Sequence, residues 1–310
     1  MADSDVRRIL VVGATGKQGG AVVKALLANP PPFKYEILAM TRSANSASAK
    51  SLTSKPNVTI LSGDLNDVSA IFSSAGGPDS IWALFLVTQP SMKKLQPGVV
   101  DKEVAQGRAM FDAAQENGVK HFVFSSVERG GDEKSWDNPT PIPHFITKHD
   151  IELYIRDNIN TSQMTYTILR PVAFMDNYMT GIIGRIFAAA WAQMGKTPLQ
   201  LVSTRDIGIM AAKALSDPES DDFKNKAIGL VGDELNQAGG NQAMWKAKSR
   251  PMVQTYWFVA YFLKWAIADV GIMFRWFEEQ GYKADVAKCK RLNPDMLDFE
   301  RWIKDESKHT

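Results

Sequence analysis

The sequence predicts an α/β fold, a doubly wound parallel sheet followed by a smaller, mostly helical C-terminal lobe. Three observations predict it. Short apolar runs rich in branched residues alternate with helical patterns over about the first 170 residues; the first run ends in a glycine-rich turn that opens a helix; and beyond Arg170-Pro171 the pattern turns helical and tryptophan-rich. Alternation of this kind puts helices on the faces of a parallel sheet and its ligand site beyond the carboxyl ends of the strands.

The first run, Arg8–Val12, leads directly into GATGKQGG and a helix over Gln18–Ala28. Gly13-x-x-Gly16-x-x-Gly19 in that strand–turn–helix context is a dinucleotide-binding turn, which makes the fold Rossmann-type. Glycine permits positive φ and lets the backbone approach a pyrophosphate, while exposed amides at the helix N-terminus attract its charge. Gly13, Ala14, Thr15, Gly16, Lys17, Gln18 and Gly19 are therefore candidate cofactor contacts, with Lys17 adding positive charge near the phosphates.

The second run, Tyr35–Met40, ends in Thr41-Arg42. An NAD enzyme places an acid here to accept from the ribose 2′-hydroxyl. Arg42 stands there instead, and its planar guanidinium matches a 2′-phosphate, so NADP(H) is the expected cofactor. The third run, Val58–Leu61, precedes Asp64-Leu65, where Asp64 either holds an adenine amino group or caps the next helix. The fourth, Ile81–Val87, precedes Thr88-Gln89-Pro90, and a helix over Val99–Asn117 follows. The fifth, His121–Phe124, ends in Ser125-Ser126; this pair and Thr88-Gln89-Pro90 both fall near where a nicotinamide ribose would lie, the alternative for each being ordinary turn chemistry.

A helix over Thr147–Asp157 then precedes the sixth run, Thr165–Leu169. Further on, helices are predicted around Met179–Gln193 and Asp206–Leu215, a short strand over Ala227–Val231, and a loop over the polar stretch Gly232–Gln242. Helical patterns carrying Trp245, Trp257, Trp265, Trp276 and Trp302 run to near Lys308. The expected division is a dinucleotide-binding domain of residues 1–173, to which 203–231 return, and a smaller lobe of residues 174–310 forming a cleft over the cofactor.

Composition removes other classes. With 310 residues, 45% hydrophobic and 23% charged, the chain can bury a sizeable core. Lys and Arg total 36 against 34 Asp and Glu, too even a balance for extensive phosphate-backbone binding, so nucleic acid is not an expected partner. The single cysteine, Cys289, leaves no internal disulfide or Cys-based metal site, and His121, His149 and His309 show no ligand spacing, so no metal is expected. The N-terminus has no apolar stretch with a cleavage site. The most apolar window, Tyr256–Phe274, contains Lys264 and Asp269, each costing about 2.5 to 3.5 kcal/mol inside a bilayer, so no membrane partner is expected. Basic clusters at Lys246–Arg250 and Lys288–Arg291 read as solvated faces, with nuclear import the alternative to a cytoplasmic location.

GATGKQGG, the Thr41-Arg42 pair, GDLND at Gly63–Asp67, VKHFVFSS, PHFITKHDIE and LRPVAFMDNY together resemble the NmrA-like branch of the atypical short-chain dehydrogenase/reductases. MFRWFEEQGY and RLNPDMLDFERWI are similar to its NADPH-sensing members, so the resemblance spans nearly the whole chain. It implies a Rossmann fold and NADP(H). It leaves activity open, because the group holds redox-sensing regulators alongside reductases.

Reductases of this superfamily use Tyr-x-x-x-Lys, the tyrosine protonating a carbonyl and the lysine lowering its pKa and holding the nicotinamide ribose. Here the segment is His144-Phe-Ile-Thr-Lys148. Lys148 remains to anchor the cofactor; the phenol is gone. His144 is either a substitute acid or a helix-start packing residue, and Tyr154 lies about 240° around the helix from Lys148. Tyr178 stays open as a contributor from the second lobe. The resemblance lays the PVAFMDNYM segment over the nicotinamide, which makes Phe174 and Asn177 candidates for closing the pocket, with a core position the alternative for Phe174, and makes Pro171 a further cofactor-contact candidate. The preferred reading is a redox-sensing regulator that acts on a protein partner. The alternative is an NADPH-dependent reductase of a small hydrophobic carbonyl or enone substrate, with Lys148 or a lysine-bound water handling the proton.

Overall fold

The computed structural model describes residues 6–90, 100–178, 181–259, 261 and 268–307. Its first half alternates β1 (Arg7–Val12), α1 (Lys17–Ala28), β2 (Tyr35–Thr41), α2 (Ala47–Thr53), β3 (Val58–Ser62), α3 (Val68–Ser74), β4 (Ala83–Val87), α4 (Lys102–Glu116), β5 (His121–Ser125), α5 (Pro143–Asn158) and β6 (Thr165–Pro171). There follow β7 (Ala173–Phe174), α6 (Ile182–Ala192), β8 (Leu199–Val202), α7 (Thr204–Ser216), β9 (Lys226–Leu230), β10 (Asp233–Leu235) and four helices, α8 (Gln237–Lys248), α9 (Ala268–Glu279), α10 (Val286–Leu292) and α11 (Phe299–Asp305).

Seven strands form one sheet in the order β3-β2-β1-β4-β5-β6-β9, and the five pairings from β3 to β6 are all parallel. The continuous apolar runs have a simple cause: strands covered by helices on both faces have no solvated side. Ile9, Leu10 and Val11 of β1 are fully buried, as are Leu84 and Phe85 of β4 and Phe122 to Phe124 of β5. The order of strands reverses between β1 and β4. In a doubly wound sheet that crevice, beyond the carboxyl ends of the strands, is where a ligand binds.

The chain divides into two compact units. One comprises Met1–Ser126, Thr147–Leu169 and Ile207–Ile228; the other comprises Val127–Ile146, Arg170–Asp206 and Gly229–Thr310. Within the second, β10, β8 and β7 make a three-stranded sheet, antiparallel between β10 and β8 and parallel between β7 and β8. Its core is aromatic: Tyr178 packs on Trp191 at 5.0 Å and edge-on to Phe299 at 6.0 Å, and Phe145 meets Trp276 at 5.8 Å. Buried Asp206 ties the C-terminal segment in by accepting from the Leu297 amide at 3.0 Å and from Asn293 Nδ2 at 3.2 Å.

Several expectations about elements need correction. Gly232–Gln242 is not a loop. Asp233–Leu235 pairs with β8, and Asn236 then caps α8 by accepting from the Gly239 amide at 3.0 Å, so the polar composition reflects an edge strand and a cap. The fourth strand begins at Ala83, two residues later than Ile81. The helix bearing Lys148 starts at Pro143, one turn before Thr147, because proline suits a first helical turn. The helix expected from Met179 begins, among the described residues, at Ile182. Val99, Met179, Lys264, Trp265, Lys308 and His309 lie outside the described residues.

Candidate functional site

The glycine turn takes the form its chemistry requires. Gly13 has φ +68°, a left-handed conformation that disfavours any side chain. A Cβ on Gly19 would sit 2.3 Å from the Gly13 carbonyl oxygen, so only glycine lets α1 start this close to β1. Gly16 caps α1 with no side-chain bond to its first turn, leaving the helix N-terminus to a ligand or to water. Thr15, Gly16 and Lys17 are exposed; Ala14 is buried, its amide donating to the Met40 carbonyl at 3.0 Å.

That last bond fixes the turn to the end of β2. Thr15 Oγ1 lies 3.2 Å from Thr41 Oγ1, which also accepts from the Ser43 amide at 3.3 Å. Arg42 therefore leaves β2 beside the glycine turn, and it is exposed. On the other side, Gln18 Oε1 accepts from Ser125 Oγ at 2.6 Å, joining α1 to the end of β5.

Lys148 lies at the centre of a buried polar cluster. Its Nζ donates to Thr88 Oγ1 at 2.7 Å and to the Thr88 carbonyl at 3.1 Å, and it lies 3.4 Å from the Ser125 carbonyl and 3.0 Å from Glu103 Oε1. Glu103 in turn accepts from Thr88 Oγ1 at 2.7 Å and from Thr147 Oγ1 at 2.5 Å. Burial by itself would push the Glu103 carboxyl up; the Lys148 ammonium and the two threonine hydroxyls outweigh it and hold the group below its ordinary value. Burial pushes the Lys148 ammonium down, against the attraction of Glu103 and Glu152. The pair is an ion pair whose three ammonium protons already have acceptors within the protein.

Thus the glycine turn, Thr88, Ser125 and Lys148 are linked by short bonds through Gln18, while Arg42 is placed beside the turn by its neighbour Thr41. Asp64 is exposed and its Oδ1 accepts from the Asn66 amide at 2.9 Å, while Asp67 caps α3. Leu65 is half-buried and Gln89 exposed. His144, Pro171, Phe174 and Asn177 belong to the second unit. There His144 packs edge-on against Phe145 at 4.9 Å, Pro171 is buried with its carbonyl accepting from Glu128, Phe174 pairs with Val202, and Asn177 stands in a 3-10 turn. Tyr178 is buried among aromatic rings, and burial raises its phenol well above the ordinary range. Tyr154 Oη instead donates to Asp112 at 2.9 Å.

Glu103 and Thr147 are the members of the cluster that sequence reasoning missed. Glu103 sits two residues after Asp101, the N-cap of α4, and an acid in a first turn reads as a helix-dipole partner. A separate concavity of about 830 Å³ around Pro30–Pro32, Tyr35 and Thr59 lies at the amino ends of β2 and β3 and contains none of the candidate residues. Among the described residues no cluster of metal-ligating side chains occurs, and no helix is long and apolar enough to cross a membrane.

Residues 5–303 match the model of the NmrA-like family. The chain belongs to that family. An NAD(P)H azoreductase of Xenophilus azovorans is 29% identical over 248 residues, 79% of this chain and 75% of its own length. NmrA itself, a negative transcriptional regulator, superposes with a TM-score of 0.71 at 19% identity, covering 97% of this chain and 95% of its own. It has been solved with NAD and with NADP. Triphenylmethane reductase of Citrobacter sp., complexed with NADP(H), gives a TM-score of 0.70 at 19% identity over 96% of this chain and 99% of its own. These NmrA-like and reductase structures share the fold at identities too low to carry more.

Proposed function

We propose that this NmrA-like protein binds NADP(H) and acts as a redox-sensing regulator on a protein partner. The glycine cradle fits a pyrophosphate: a Cβ at Gly19 would close it, and the N-terminus of α1 is left uncapped by side chains. Arg42, exposed beside the glycine turn, would hold the 2′-phosphate, with Lys17 adding charge. Ser126 Oγ, buried at the end of β5 without a partner, fits a hydrogen-bonding ligand at that strand end. When bound, the nicotinamide supplies or accepts hydride.

The single observation that carries the regulatory reading is the closed state of Lys148. Its protons are committed to Thr88, Ser125 and Glu103, and the tyrosine that would deliver a proton is replaced by His144, which packs on Phe145. These residues fit a dinucleotide, and the position of the usual tyrosine offers no phenol to protonate a substrate. A sensor further requires different affinities for the two redox forms, because a ligand that binds both conformations equally shifts no equilibrium. Titrating NADPH and NADP+ against tryptophan fluorescence tests this. Affinities differing by about tenfold or more are expected, and equal affinities would remove the sensor reading.

A reductase is the second reading, favoured by the 29% identity to an azoreductase over most of both chains. NADPH consumption with quinones, enones and aldehydes decides between them. Turnover that Lys148→Ala abolishes in folded protein would establish the reductase.

A further inference from the structure

Exposed large apolar side chains concentrate in two stretches of the second unit. Eight of the ten large apolar side chains that stand exposed among the described residues fall within residues 182–196 and 245–261. The stretches are joined by two hydrogen bonds: the Thr255 amide donates to the Arg185 carbonyl at 3.2 Å, and the Gln193 side-chain Nε2 donates to the Trp257 carbonyl at 2.9 Å. Scattered exposure of single apolar residues is ordinary, whereas concentration on one face marks an interaction site.

Charge narrows the partner. The same stretches contain five basic residues, Arg185, Lys196, Lys246, Lys248 and Arg250, and no acid, in a chain whose net charge is only +2. Lys246 has one acidic neighbour, Glu300 at 3.6 Å, whose carboxylate is shared with Lys304 at 2.6 Å. Aromatic and basic side chains without acids are complementary to a surface that is both anionic and apolar beneath.

Geometry narrows it further. Tyr256, Trp257 and Phe258 are consecutive and 74%, 71% and 53% exposed, at the start of a helical segment. Tyr256 precedes the first helical residue, Trp257, and the three rings cluster into one exposed tip, with Tyr256 stacked on Phe258 at 5.5 Å and Trp257 edge-on to Phe258 at 6.1 Å. A protein groove receives a stripe at i, i+3 and i+4. A fluid lipid interface closes around a tip, and tryptophan and tyrosine favour that depth.

We propose that this face attaches the protein peripherally to anionic phospholipid bilayers, the rings of Tyr256 to Phe258 entering the interface and the five basic residues facing the headgroups. A span over Tyr256–Phe274 would carry the charges of Lys264 and Asp269 at a cost of about 2.5 to 3.5 kcal/mol each, whereas peripheral attachment requires no span.

Flotation of the full chain with vesicles of phosphatidylcholine, alone or mixed with phosphatidylserine, tests this. Binding is expected on the anionic vesicles and should fall with salt. Replacing Lys246, Lys248 and Arg250 by Gln should weaken it about a hundredfold, about fivefold per residue, and Tyr256→Ser with Trp257→Ser and Phe258→Ser should abolish it. Brominated lipid should quench tryptophan fluorescence of the unsubstituted protein. Absence of flotation at low salt, absence of quenching, or equal binding by the aromatic variant would each overturn the proposal. So would a dimer in solution that the aromatic variant dissociates, which would give the face to a second copy.

Discussion

The ammonium of Lys148 lies 3.0 Å from the Glu103 carboxylate, and Thr88 bridges them by accepting from the first and donating to the second. Both charges are buried. Each therefore depends on the other, since an ion left alone in such a place keeps its desolvation cost and loses its compensation.

Glu103→Leu or Lys148→Met alone should lower stability by about 3 to 5 kcal/mol. The double variant should recover most of the loss, because no uncompensated charge remains. Urea denaturation of all four proteins measures the coupling, and additive losses would contradict it. The Glu103 carboxyl is held below its ordinary value; its contribution is therefore complete above about pH 4.3 and is lost as pH falls through the lowered folded-state value.

Arg42→Ala should weaken NADP(H) by about 10- to 150-fold, the range for a hydrogen bond to a charged group, and leave NAD(H) nearly unchanged. Isothermal calorimetry with both cofactors reads the ratio. Equal losses would show that no 2′-phosphate contact is made by this guanidinium.

Gly19→Ala places a methyl 2.3 Å from the Gly13 carbonyl oxygen. The start of α1 must then move away from β1, costing about 1 to 3 kcal/mol and spoiling the dinucleotide cradle with it. A melting temperature and an NADP+ affinity both equal to those of the parent would show that the turn tolerates the methyl.

His121 gives the fold a pH dependence. Its ring is buried between Thr165 Oγ1 at 2.8 Å and Thr167 Oγ1 at 3.2 Å, and burial lowers its pKa from 6.5 to about 3. Between those values the unfolded chain binds the proton and the folded chain does not, so stability falls as pH drops through the window by up to about 1.4 kcal/mol per unit. Denaturation midpoints from pH 6.5 to pH 4 should fall less steeply in His121→Gln. Identical slopes would assign the effect elsewhere.

The main sheet was legible because its central strands β1, β4 and β5 are buried on both faces, and because β1 leads into a helix of clear apolar period, α1. α2 was not legible: Ala49 is its only buried residue, and a helix held by a Ser46 cap leaves no apolar stripe to read. The second sheet was hidden because β7, β8 and β10 are two, four and three residues long, too short for a period of two to register. In the site, the glycine turn and Arg42 follow from position alone. The Glu103–Lys148 bond joins residues 45 apart through the pairing of β4 with β5 and the return of α5, and no local spacing encodes it.

The outermost strand next to β6 is built from Lys226–Leu230, after the chain has already formed β7 and β8. A nascent polypeptide emerging from the ribosome thus presents β6 with bare amides and carbonyls until residue 230 has been added. A recombinant fragment stopped at residue 173 would keep that hydrogen-bonding rim permanently open and would be prone to edge-to-edge aggregation.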